Sequence, residues 1–208
     1  VNFEEVSEIG TIVYLALEGE YAGSLLIADA IKEDAAAAIA TMKKLGIEHI
    51  IMLTGDAQSV GEAVAKKLGI SEVYSELLPQ DKVEKFEEIL ARKGKKEKVA
   101  FVGDGINDTP VLARSDIGFA MGGLGSDAAI EAADVVIMDD KPSKIAAAMQ
   151  VAKDTRRIVW QNIFFALGVK GLFLILGAFG VASMWEAVFA DVGVTVIAVL
   201  NAMRILNK

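Results

Sequence analysis

Cysteine is absent from the 208 residues, which excludes disulfides, thiolate metal ligands and a cysteine nucleophile from this stretch. Histidine occurs once, at His49 ahead of an apolar run; a lone imidazole there reads as an edge or surface residue rather than a metal ligand. Positive charge is not in excess: 21 Lys+Arg stand against 29 Asp+Glu, a net charge of -8, with no basic stripe. The phosphate backbone of DNA or RNA therefore finds no counterpart, and no nucleic-acid partner is expected. The opening stretch Val1 to Gly10 has no initiator methionine and carries Glu4, Glu5 and Glu8. It is not a signal peptide, and the chain reads as a piece of a longer one.

What is abundant is apolar surface. Hydrophobic residues make up 53% of the chain and the mean hydropathy is +0.43, so part of it is expected in lipid. The apolar runs Ile9 to Leu17 and Ala22 to Ala28 flank Glu18-Gly19-Glu20, the pattern of a hairpin closing a β-rich unit. From Lys32 onward helical and strand patterns alternate. Helices are expected over Ala35 to Leu45, Ser59 to Leu68 and Gln80 to Arg92, after Asn107, over Ser126 to Ala133 and after Ser143. Strands are expected over His49 to Leu53, near Val73, and over Val99 to Val102, Ile117 to Ala120 and Val135 to Met138. This alternation predicts an α/β fold, a doubly wound parallel sheet covered on both faces with ligand loops at the strand C-terminal ends.

The pattern changes after Arg156-Arg157. Ile158 to Phe179 and Ala187 to Leu206 are apolar runs of roughly 22 and 20 residues, each long enough as a helix to cross a bilayer core. Trp185 between them suits an interface, and Arg156, Arg157, Arg204 and Lys208 at the outer ends place both ends of this transmembrane hairpin, and the α/β domain, in the cytoplasm. The alternative is a buried helical hairpin in a large soluble protein. Gly168, Gly171, Gly177, Gly180, Gly193, Ala198 and Ala202 permit close contact with neighbouring helices.

The chemistry sits where strands end. Leu53-Thr54-Gly55-Asp56, Pro79-Gln80-Asp81-Lys82 and Gly103-Asp104-Gly105-Ile106-Asn107-Asp108 follow expected strands, with Gly122-Gly123 after the next. The third is the most specific: two carboxylates and an amide in one tight turn repel unless a cation or hydrogen bonds compensate. Mg²⁺ is the natural cation. Asp104 can ligate it, Asn107 and Asp108 can orient neighbouring groups or a water, and glycines such as Gly105 let the backbone approach. The Thr54 hydroxyl and the Gly55-Asp56 turn would hold phosphoryl oxygens whose charge Lys82 offsets. Read minimally, the acidic residues only cap a helix.

LTGD, PQDK and GDGIND in this order resemble the later motifs of the haloacid-dehalogenase superfamily, specifically its P-type ATPase branch. MLTGDAQSVGEAVAKKLGI, ELLPQDKV, VAFVGDGINDTPVLARSDIGFAMG and AIEAADVVIM are similar too. The resemblance implies ATP and Mg²⁺ as cofactors, Asp104 and Asp108 at the Mg²⁺ site, and Thr54 and Lys82 on the transferred phosphate. It places Asp29 at a hinge, where an Asp also reads as a helix cap. It further implies that 1–28 end a nucleotide-binding domain, that 29–155 form a phosphorylation domain lacking its first strand, and that 156–208 are the last two membrane helices. The branch's Asp-Lys-Thr-Gly-Thr nucleophile motif is missing, so this stretch alone is expected to be inactive, with the rest of the pump upstream.

Lys170 and Asp191 stand inside the apolar segments, where an ionised group costs roughly 3 kcal/mol on insertion scales. Asp191 and Thr195 share a helical face, and a carboxylate beside a lysine can balance charge before and after a divalent cation binds. A structural ion pair pinning two helices is the simpler reading. NIFFALGVKGLFLILGAFG and WEAVFADVGVTVIAVLNAMRIL resemble the last two membrane helices of heavy-metal pumps, and the Lys/Asp pair resembles the zinc/cadmium/lead-exporting subtype, implying Zn²⁺ or Cd²⁺ as cargo and a plasma-membrane location. Met184 and Met203 are poorly placed for the copper subtype, and the Cys-Pro-Cys motif of an earlier helix is not in this chain. Competing readings are a membrane-anchored phosphatase of the same superfamily, a non-catalytic regulatory remnant, and a pump for another ion such as potassium or calcium.

Overall fold

The structure, a computed structural model, describes residues 11–27, 30–103, 105–122, 127–181 and 183–207, and only the backbone at Thr11, Ile12, Leu26, Ile27, Ile106, Met184, Ala187, Phe189 and Asn207. Asp29, Asp104 and Gly123, singled out above, lie outside the described residues. The chain divides into two compact units, Val1–Ala146 and Ala147–Lys208.

In the first unit β1 (Thr11–Leu17) and β2 (Glu20–Ile27) form the expected antiparallel hairpin. Glu18 and Gly19 both take positive φ, 53° and 89°, the backbone sense that matches the strands' right-handed twist. The α/β part then runs α1 (Ala35–Lys44), β3 (Ile51–Leu53), α2 (Gln58–Leu68), β4 (Glu72–Tyr74), α3 (Pro79–Arg92) and β5 (Ala100–Gly103). A 3-10 turn (Ile106–Asp108) passes into the short α4 (Thr109–Leu112), followed by β6 (Ile117–Met121), α5 (Asp127–Ala132) and β7 (Val135–Ile137). His49 is exposed, as a residue leading into a strand should be.

All these later strands are parallel, but they form two sheets, β3-β4 and β5-β6-β7. Among the described residues β3 and β5 each have one paired edge. Val102 on β5 is 42% exposed, although apolar strand residues in parallel sheets are normally covered on both faces. Among the described residues the parallel strands thus stand as two separate sheets. The core is carried by the amphipathic α3, whose Phe86 is 2% exposed and meets Phe101 of β5 edge-on at 5.5 Å, and by Val111 and Leu112 of α4. Pro79 opens α3 with its fixed φ, and the Asp81 carboxylate accepts the Leu78 N–H at 2.9 Å to close the first turn.

Asp116 ties the far ends of these elements together. Its carboxylate meets Lys93 Nζ at 2.5 Å, Lys98 Nζ at 3.0 Å and the Val99 N–H at 2.9 Å. The lysine contacts and the amide hold its pKa well below the usual carboxylate range. A depressed folded-state pKa contributes stability that is present above the unfolded value, about 3.9, and is lost as pH falls below it. Asp116→Asn accordingly flattens the acid limb of a stability-against-pH curve below about pH 4; an unchanged acid limb in thermal melts would contradict this.

In the second unit the helix that begins in the first continues. α6 (Ser143–Ala178) runs 36 residues without a break at Arg156-Arg157, about 54 Å of helix. It is long and apolar enough to cross a membrane, and 6% of its apolar window is buried; the core helix of a soluble protein would be mostly buried. α7 (Met184–Ala202) starts at Ser183, whose hydroxyl and N–H engage Glu186, and ends in a 3-10 turn (Met203–Asn207). α6 and α7 lie antiparallel, touching through Asn162 and Asn201 and through Lys170 and Asp191.

Candidate functional site

The motifs at the strand ends form two sets of contacts, linked by the chain that runs from Leu77 into α3. Thr54, the residue after β3, donates its hydroxyl to Asp56 Oδ2 at 2.7 Å and accepts the Asp56 N–H at 3.1 Å, so Thr54-Gly55-Asp56 closes on itself as a turn. That turn is fastened to the segment leading into α3: Thr54 C=O accepts the Leu77 N–H at 3.1 Å and Asp56 C=O accepts the Glu76 N–H at 2.9 Å. Glu76 takes a φ of 59° to make this bond, a conformation a non-glycine residue adopts only when its surroundings hold it there.

Four residues into α3, Lys82 reaches across to Asp108, Nζ to Oδ1 at 3.1 Å, with the side chains 20% and 12% exposed. Asp108 in turn is folded against the end of β5. A Cβ at Gly103 would lie 2.7 Å from Asp108 Cβ and 3.0 Å from its Oδ2, so glycine is required for the carboxylate to sit there. Asn107 is exposed beside it and Gly105 C=O accepts the Asp108 N–H at 3.1 Å. Thr54, Gly55, Asp56, Lys82, Gly105, Asn107 and Asp108 are thus drawn toward one end of the α/β part. Lys82 is already paired with a carboxylate, a partner the sequence did not assign to it. Mg²⁺ takes one or two carboxylates with the remaining positions filled by waters and substrate oxygens; no group of three acidic or histidine side chains gathers among the described residues, but Asp108, its Oδ1 shared with Lys82, and the exposed Asn107 amide fit that smaller donor set.

Two hydroxyls had no signal in the sequence. Ser75 Oγ and Thr109 Oγ1 are buried without a hydrogen-bond partner among the described residues. Ser75 Oγ lies where a Cβ on Gly61 of α2 would come within 2.3 Å, so α2 packs close behind the Thr54 turn.

Between the two long helices Lys170 Nζ meets Asp191 Oδ1 at 2.8 Å, each side chain 57% exposed. Thr195 donates its hydroxyl to the Asp191 carbonyl at 2.9 Å. Both charges line a groove of about 360 Å³ between α6 and α7.

Residues 2–116 match the haloacid dehalogenase-like hydrolase family, more than half of the chain. The chain belongs to that family. The haloacid-dehalogenase-like chain is also 68% identical over 198 residues, 95% of its length and 28% of the relative's, to the cadmium, zinc and cobalt-transporting ATPase of Bacillus subtilis (strain 168). It is 59% identical to the zinc-transporting ATPase of Synechocystis, over 99% of this chain and 28% of that one. Among solved structures it superposes on a zinc-transporting PIB-type ATPase in the E2.Pi state with a TM-score of 0.83 and 36% identity, covering 94% of this chain and 31% of the other. The chain therefore spans less than a third of the length of the curated relatives it matches.

Proposed function

We propose that this chain is the later part of an ATP-driven exporter of divalent heavy-metal cations, Zn²⁺ or Cd²⁺, which works through an aspartyl phosphate whose aspartate lies outside the sequence described here. Residues 1–28 complete a nucleotide-binding domain, 29–155 are the phosphorylation domain, and 156–208 are two membrane-crossing helices with the α/β part on the cytoplasmic side of the plasma membrane. The upstream strand that carries the nucleophile pairs with the open edges of β3 and β5. The Thr54-Gly55-Asp56 turn then binds phosphoryl oxygens, and Lys82 offsets their charge. Asp104 and Asp108 hold Mg²⁺, which supplies charge neutralisation when bound.

The observation that carries this reading is the Lys170–Asp191 pair between two apolar helices. A phosphatase merely tethered to a membrane has no use for charges inside its anchor, where each is costly. An exporter does: a divalent cation binding at Asp191 displaces the lysine, and the lysine returns when the ion leaves. The test is ATP-driven accumulation of Zn²⁺ in inverted vesicles carrying the full-length protein. Accumulation supports the reading, and accumulation of K⁺ or Ca²⁺ in its place refutes it.

A further inference from the structure

Asn162 of α6 and Asn201 of α7 stand within the apolar helices, about 12–15 Å along them from the ion pair. Asn162 Nδ2 donates to the Ala198 carbonyl at 3.0 Å, Asn162 Oδ1 accepts from Asn201 Nδ2 at 2.8 Å, and Asn201 Oδ1 accepts from Arg204 Nη1 at 3.0 Å. Both amides are half-buried and are occupied with each other and with the backbone. That arrangement makes them poor ligands for a passing ion and good fixtures between helices.

We infer that Asn162 and Asn201 are positioning residues: their amide clasp sets the register of α6 against α7 and so the approach of Lys170 to Asp191. The inference rests on the proposed reading of that pair as the cation site. From Asn162 to Lys170 along α6 is about 12 Å and from Ala198 back to Asp191 along α7 about 10.5 Å, so clasp and ion pair are rungs of one antiparallel register. Close glycine packing does not set that register. At Gly168, Gly171, Gly177 and Gly193 an added Cβ would meet nothing within 4 Å, and smooth apolar faces slide without a steric lock. The ion pair cannot hold the register either, because it must open when a cation takes Asp191. A slip of one residue shifts the helices by about 1.5 Å, enough to spoil a 2.8 Å contact.

The test is the Zn²⁺ dependence of ATP hydrolysis by the full-length protein. Asn162→Leu and Asn201→Leu each raise the zinc KM by about tenfold or more, with the effect in KM rather than in kcat. The double variant shifts KM no further than either single one, because the two amides act as a unit. An unchanged KM, a loss confined to kcat, or additive shifts would overturn the clasp. Asn162→Ser, which shortens the reach but keeps a polar group, covers the case in which a leucine variant does not fold: it too must raise KM, or the clasp is refuted. Asp191→Ala is run alongside. If it leaves the zinc response intact, the reading of the ion pair fails; if it abolishes the response while the asparagine variants behave as wild type, the clasp alone fails.

Discussion

Full-length protein carrying Asp191→Ala loses metal-stimulated ATP hydrolysis, its rate in saturating Zn²⁺ falling to the metal-free background. Asp191 is the carboxylate of the described α6–α7 groove, and Lys170 is the cation it faces at 2.8 Å. Removing the carboxylate removes both the anionic ligand and the lysine's counter-charge. A lone ammonium among apolar helices repels a divalent cation and costs roughly 3 kcal/mol of insertion energy. The companion variant Lys170→Ala separates these effects. It leaves an unpaired carboxylate that still attracts cations, so it retains zinc binding while its turnover falls. Zinc titrations of ATP hydrolysis decide the matter, and undiminished stimulation in Asp191→Ala would reduce the pair to a helix pin.

Replacing Lys82 with methionine lowers turnover by about two to three orders of magnitude, the size expected when a charge aimed at a reacting phosphoryl group is lost, and leaves the zinc KM unchanged. Lys82 also neutralises Asp108, whose side chain is 12% exposed, so the single variant leaves a buried carboxylate without its partner. The double variant Lys82→Met/Asp108→Asn removes that penalty. Because Asp108 is itself assigned to the Mg²⁺ site, the double variant is read by thermal melts rather than turnover: it recovers the melting temperature lost in Lys82→Met, and that recovery measures the folding share of the single variant's loss. Activity within about threefold of wild type in Lys82→Met would show that the pair only braces α3 against β5.

Much of the α/β unit was legible because its signals are local. Gly69, with a φ of 69° at the end of α2, stops that helix where the apolar periodicity ends, and Pro79 with Asp81 starts α3 one residue before the expected Gln80. Strands β3 to β7 fall on the apolar runs: β3 starts two residues late and β7 ends one residue early, β5 is shifted by one residue, β6 runs one residue further to Met121, and β4 spans Glu72–Tyr74 around Val73. The long helix had no end signal at the change of composition. Arg156-Arg157 marks a change of composition, yet α6 passes through it unbroken, because charge does not interrupt a helical hydrogen-bond ladder as proline or glycine can. The candidate residues at the strand ends were legible as motifs. The contacts among them were not, since Lys82 and Asp108 are 26 residues apart and Asn162 and Asn201 are 39 apart. Asn162 and Asn201 were not singled out, although amides within apolar runs are a signal for interhelical hydrogen bonding.

The central claim is that a phosphoryl site in the α/β unit drives a cation past Asp191, and zinc accumulation tests it most directly. Inverted vesicles bearing the full-length protein are given ATP, Mg²⁺ and Zn²⁺, and the metal inside is measured against time. The account predicts ATP-dependent accumulation that is abolished in Asp191→Ala and sharply slowed in Lys82→Met. ATP hydrolysis without accumulation, or accumulation indifferent to Asp191, would contradict it.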